Sequence, residues 1–178
     1  PDSFANEYSA NSQQWTTGIN WVMSCQNQQT HPFTGAAPGG WGWTDLSGAV
    51  PDADDTPGAL LALKRISQLS APEGEQERIP TSKIQQSAEL GVDWLINLQN
   101  NDKGWPTFCR GWLKLPFDRS GTDLTAHVIR SFLAWRDDIS DTKNRKTKVN
   151  RAIKTGFEYL KQHQEKDGSW LPLWFGNQ

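Results

Sequence analysis

Three segments of the chain superimpose without gaps: Gly18-Ile19-Asn20-Trp21 running on to Gln26, Gly91-Val92-Asp93-Trp94 to Gln99, and Gly156-Phe157-Glu158-Tyr159 to Gln164. In each, an aromatic residue lies three positions after the glycine and a glutamine five after the aromatic, with apolar residues between them at helical spacing. A glycine–tryptophan turn follows every glutamine: Gly40-Trp41 after a long insert, then Gly104-Trp105 and Gly168-Ser169-Trp170 after short ones. Self-similarity of this length marks an array of helical hairpins, in which each unit buries its apolar face on the next. Second helices fall between the turns, from Pro57 to Leu69 and from Asp123 to Trp135, and Thr56 aligns with Thr125, which puts Asp54 and Asp123 at equivalent positions. The pattern predicts an all-α chain of five helices over 12–26, 56–70, 82–99, 123–138 and 148–164, with no convincing strand. The segments 70–81 and 136–148 read as solvated loops, the second basic towards its end.

The acidic run Asp52-Ala53-Asp54-Asp55, just before the second helix, is the candidate for chemistry. Carboxylates this crowded repel one another when ionised, so at least one tends to keep its proton at neutral pH, as a Brønsted acid must. The run also has an ordinary structural use. Thr56 can cap the helix, Pro57 suits its first position, and acidic residues near a helix N-terminus are favoured by the dipole. Gly40-Trp41-Gly42-Trp43, a short way upstream, sets aromatic surface beside those acids.

The 178 residues suffice for one domain-sized core. With 18 Lys plus Arg against 20 Asp plus Glu, there is no electrostatic case for nucleic acid. No segment reaches the ~18 consecutive apolar residues of a membrane span, and no secretory segment is evident at the start. Cys25 and Cys109 are too few for a disulfide framework or a cysteine-rich zinc site, so both read as reduced thiols of a cytoplasmic protein, at most membrane-peripheral. The chain opens at Pro1 and closes on Trp174-Phe175-Gly176-Asn177-Gln178, just past a glycine–tryptophan turn, as a piece excised from a longer protein would.

These motifs resemble a known family. Gln99-Asn100-Asn101-Asp102-Lys103-Gly104-Trp105 and Gln164-Glu165-Lys166-Asp167-Gly168-Ser169-Trp170 are similar to the QW repeats of the squalene-hopene cyclase (class II terpene cyclase) group, and Asp52-Ala53-Asp54-Asp55-Thr56 to its Asp-x-Asp-Asp-Thr acid motif. Gly40-Trp41-Gly42-Trp43 stands where that group has Gly-Gly-Trp-x-Phe, and Asp123-Leu124-Thr125-Ala126-His127-Val128 resembles its Asp-Val-Thr-Ala-His-Val. The resemblance implies an α/α toroid, one ring of helices inside another, of which residues 1–178 would form a single partial barrel domain from a two-domain parent. It further implies metal- and cofactor-independent cyclisation of a squalene-like polyprenyl hydrocarbon. Asp54 would be the proton donor, Asp52 and Asp55 its neighbours, and His127 the holder of the conjugate base.

Asp123 and His127 are four residues apart, hence on one helical face, so Asp123 can orient the imidazole. On spacing alone, His127 reads equally as a core histidine bonded across two helices. Trp43, Phe108 and Trp174 are the implied aromatic walls, and Phe117, in Leu115-Pro116-Phe117-Asp118, resembles a residue near the family's substrate channel. Trp41, Trp105 and Trp170 read instead as scaffold. The chain departs from the family in carrying Phe108 for a tyrosine, Trp43 for a phenylalanine and Asp118 for a cysteine. Two other readings stay open: a catalytically silent toroid binding a lipid or a partner protein, and a prenyltransferase-like barrel holding zinc, for which Cys109, His127 and Asp123 offer ligand types but not the spacing.

Overall fold

The computed structural model describes residues 12–46, 48–68, 79–112 and 116–173. Among the described residues there are five α-helices: α1 (Ser12–Ser24), α2 (Asp55–Ser67), α3 (Thr81–Leu98), α4 (Thr122–Trp135) and α5 (Arg145–Gln162). Helix α2 packs on α4 and α3 on α5, while α3 also lies against α2 and α5 against α4. The result is two layers of helices, an arc of the expected double ring. Among the described residues no helix is long and apolar enough to cross a membrane.

The expectation of no strand needs one correction. Trp105–Pro106 (β1) and Ser120–Gly121 (β2) pair antiparallel, Trp105 opposite Gly121. Two residues cannot show an alternation, so the pattern could not reveal them. Their pairing draws the turn after α3 onto the start of α4. The basic end of the 136–148 segment is also not a solvated loop: Arg145 opens α5, is buried, and meets both oxygens of Asp93 at 2.8 and 2.9 Å and Glu89 at 2.9 Å. This bidentate pairing ties α5 to α3. Most of the 70–81 segment lies outside the described residues.

The repeated residues explain themselves through three contacts that recur from hairpin to hairpin. The turn indole N–H donates to the carbonyl four residues after the motif glycine: Trp41 to Val22, Trp105 to Leu95 and Trp170 to Leu160, at 2.7, 2.8 and 2.8 Å. The motif glutamine amide donates to the carbonyl two residues before that tryptophan: Gln26 to Gly39, Gln99 to Lys103 and Gln164 to Gly168, at 2.8, 2.8 and 2.9 Å. The same amide reaches the next hairpin, Gln26 to the Ser87 carbonyl at 2.9 Å and Gln99 to that of Ala152 at 3.3 Å. Helix C-termini leave carbonyls without helical partners, and the indoles tie the turns onto them, while the amides hold the turn carbonyls and reach into the middle of the next hairpin's helix.

The third contact explains the motif glycine. A Cβ on Gly91 would lie 2.7 Å from the Trp41 ring, and one on Gly156 3.0 Å from the Trp105 ring. Trp41 and Trp105 therefore press against the backbone of α3 and α5, where no side chain fits. Trp105 in turn meets Phe132 edge-on, ring centroids 5.8 Å apart, in a core that includes Leu60, Leu63, Val92, Leu95 and Val128.

This packing gives equivalent positions opposite responses. Gly91→Ala should destabilise by about 1–3 kcal/mol, because the added methyl meets Trp41 and Leu60. Gly18→Ala, with nothing within 4 Å of the new methyl, should stabilise by up to about 1 kcal/mol through helix propensity. Urea unfolding followed by circular dichroism measures both; an unchanged midpoint for Gly91→Ala would refute the packing argument.

Candidate active site

The acid run owes its shape to the turn before it. The Thr56 hydroxyl accepts the Trp41 N–H at 2.9 Å and donates to the Trp41 carbonyl at 3.2 Å. Thr56 thus staples the glycine–tryptophan turn to α2 and does not cap the helix. Thr125 does the same one hairpin later, accepting from Trp105 N–H at 3.1 Å and donating to the Gly121 carbonyl at 2.6 Å. The capping contact of α2 comes from Asp52, two residues before the N-cap Asp54, and the Asp52 Oδ1 accepts the N–H groups of Asp54 at 2.9 Å and Asp55 at 2.6 Å.

Capping buries Asp52, which is 1% exposed. Burial is the main force on its carboxyl and pushes it up to about 8, helped by the charge of Asp55 and a side-chain hydrogen bond to it, against the two backbone N–H groups. Asp54 faces the other way. Its side chain is 72% exposed and its Oδ1 stands 3.6 Å from Nδ1 of His127 on α4. The ring reaches this place over Gly58, where a Cβ would touch its Cε1 at 4.0 Å. Asp54, His127 and the buried Asp52 thus lie together where the start of α2 meets α4.

Asp123 does not take the position expected of it. Its carboxylate turns back over the start of α4, Oδ1 2.6 Å from where a Gly121 Cβ would lie, and no hydrogen bond joins it to His127 among the described contacts. At the first turn of a helix the free backbone N–H groups attract a carboxylate, which competes with the i+4 contact. Among the described residues no three His, Cys, Asp or Glu side chains gather as a metal site, so Cys109, His127 and Asp123 do not form the zinc set that the prenyltransferase-like reading needs.

The aromatic candidates converge on Phe108. Its ring lies 6.2 Å from that of Trp43, 4.9 Å from Phe117 and 5.7 Å from Trp112. Trp43 is more than half exposed, so it forms the rim. Trp174 lies outside the described residues. Trp112 is the member that sequence reasoning missed, although Gly111-Trp112 is a Gly-Trp pair that the repeat leaves unused. The Asp118 carboxylate accepts the N–H groups of Gly111 and Trp112, each at 3.3 Å, and Arg110 binds the carbonyls of Asn97, Leu98 and Gln99 at the end of α3. Cys25 and Cys109 are free thiols, and burial raises the pKa of each. A separate cavity of about 320 Å³, between residues 34–38 and α3, includes neither Asp54 nor His127.

The buried Asp52 makes a pH prediction. A carboxyl whose folded pKa is raised stabilises the fold fully below its unfolded value, near 3.8, and that contribution is lost as pH rises through about 8. Between pH 5 and 9 the urea midpoint of the natural chain should therefore fall relative to that of Asp52→Asn, which still presents an oxygen to the two N–H groups. A constant difference between the two proteins across that range would show that Asp52 is ionised in the fold.

Comparison with known proteins follows the same residues. The family model described as "Squalene-hopene cyclase C-terminal domain" matches residues 5–178. Among curated relatives, sporulenol synthase of Bacillus subtilis (strain 168) is 31% identical over 152 residues, covering 78% of this chain and 20% of that protein. A squalene-hopene cyclase of Schizosaccharomyces japonicus is 29% identical over 166 residues, covering 89% and 21%. The chain thus spans about a fifth of the length of these relatives. The solved family 10 polysaccharide lyase from Cellvibrio cellulosa superposes with a TM-score of 0.59 over 94% of this chain and 52% of its own, at 16% identity, a likeness of fold alone. On the match across residues 5–178, the chain belongs to the squalene-hopene cyclase C-terminal domain family.

Proposed function

We propose that this chain supplies the proton-delivering part of a class II terpene cyclase, which opens the cyclisation of a polyprenyl chain by protonating its terminal alkene. The observation that carries the reading is the pair of Asp54 and His127 at 3.6 Å, at the exposed edge of two packed helices. The Asp54 carboxyl gives its proton to one alkene carbon, the π pair forms the new C–H bond, and positive charge appears on the adjacent carbon for the next alkene to attack. An alkene is a very weak base, so the donor must be protonated beforehand and well stabilised afterwards. A hydrocarbon seated over the acid excludes water, and a carboxyl group in apolar surroundings keeps its proton.

After transfer, a protonated His127 stabilises the Asp54 carboxylate by charge-assisted contact. Asp52, capping α2 from inside, fixes the backbone N–H of Asp54 and so the direction of its side chain. The faces of Phe108, Trp43 and Phe117 stabilise the cation without adding to it as nucleophiles. No cofactor enters this chemistry.

The test belongs in the full-length polypeptide, with polyprenyl lipids analysed by mass spectrometry in matched lysates. Asp54→Asn should abolish cyclised product while the protein stays folded, since the amide keeps the shape and cannot deliver the proton. His127→Ala should slow cyclisation by roughly 10²-fold or more, and Trp105→Phe should lower stability while leaving the product unchanged. Undiminished cyclisation by Asp54→Asn would remove Asp54 as the acid and favour a lipid-binding toroid.

A further inference from the structure

The indole N–H groups of Trp41, Trp105, Trp135 and Trp170 all donate to backbone carbonyls at 2.7–2.8 Å. Trp112 breaks this rule: its Nε1 is buried and has no hydrogen-bond partner, alone among the buried side-chain nitrogens and oxygens of the described residues. The Cys109 thiol feels that N–H, which favours its thiolate; a neutral thiol sulfur is a weak acceptor and makes no hydrogen bond that satisfies the donor. Buried donors left unpaired are costly, and one in a native fold calls for an acceptor that arrives later.

The donor is also held still. Asp118 accepts the backbone N–H groups of Gly111 and Trp112 at 3.3 Å, Gly111 has a φ of +108° that L side chains rarely adopt, and Arg110 anchors the preceding residue to the end of α3. The ring itself packs 5.7 Å from Phe108 and 5.4 Å from Phe117, neither of which carries a polar side-chain atom. Fixed donors in otherwise apolar walls are how ligand sites orient their ligands.

We propose that Trp112 is the polar recognition element of this aromatic site, its N–H donating to an oxygen atom on the bound polyprenyl molecule, with Asp118 as the residue that positions it. The site then takes an oxygen-bearing polyprene, such as a polyprenyl alcohol, in preference to the hydrocarbon of the same length. This deepens the cyclase reading and rests on it for the polyprenyl class.

The test is a binding measurement on the purified full-length polypeptide in mixed micelles, with geranylgeraniol and the tetraene hydrocarbon that lacks its hydroxyl as probes. The alcohol should bind about tenfold or more tightly than the hydrocarbon. Trp112→Phe, which keeps a ring and removes the donor, should erase that preference by weakening the alcohol alone. Asp118→Ala should erase it too, while Asp118→Asn, which retains an acceptor oxygen, should restore most of it. Independently of any variant, the Trp112 indole proton should move downfield in NMR spectra on adding the alcohol and stay in place with the hydrocarbon. Equal affinities in the natural protein, or equal weakening of both probes by Trp112→Phe, overturn the proposal and leave the cyclase reading standing. Failure of both probes to bind a folded protein overturns both.

Discussion

The contact of the Trp41 ring with the backbone of Gly91 sets the position of everything that follows in the acid region. The ring occupies the space where a side chain on α3 would be, and its N–H is tied to the Val22 carbonyl, so the turn cannot shift. The backbone of the same tryptophan holds the Thr56 hydroxyl, which locates the first turn of α2. Asp52 then takes its place as cap, its own N–H donating to the Trp41 carbonyl at 2.9 Å. From Gly91 to Asp54 each step is a hydrogen bond or a close packing contact, and none relies on an exposed ion pair. That series of contacts fixes the direction in which the Asp54 carboxyl leaves the start of α2, towards His127.

Within the acid run, the three carboxyls divide according to where the helix start places them. Asp52 lies under the first turn and loses solvent; Asp54 projects outward towards α4; Asp55 begins the helix. The group most strongly driven to keep its proton is therefore the one least able to reach a substrate. The group that can reach one has His127 beside it instead. Crowding of charge, visible in the residues alone, does not reveal this partition, since it depends on which side of the helix each side chain leaves.

The helices, their order and the place of the glutamines before each turn were legible because the repeat states them three times, with apolar spacing in register each time. The motif glycines were visible but not their reason, which needs the neighbouring hairpin's tryptophan in place. Thr56 looked like a cap because caps are usually the last polar residue before the helix, whereas here Asp52 reaches forward over three residues. Asp123 departs from its expected contact because helical spacing permits a bond with His127 without requiring one, and its carboxylate lies over Gly121 instead. Trp112 and Arg110 were missed because they lie outside every periodic segment, where spacing says nothing about which groups a side chain meets.

The repeated motif links end largely on backbone atoms: within a hairpin on the carbonyls of Val22, Leu95 and Leu160, and between hairpins on a glycine Cα face or the carbonyls of Ser87 and Ala152. A carbonyl is the same whatever side chain its residue bears, so most positions that receive these links are free to drift. Within these motif links the residues constrained in kind are the donors, a tryptophan and a glutamine per hairpin, and the glycine beneath the ring. A scaffold wired in this way can diverge widely in sequence while its geometry stays fixed, leaving walls such as those around Phe108 free to be recut for different molecules.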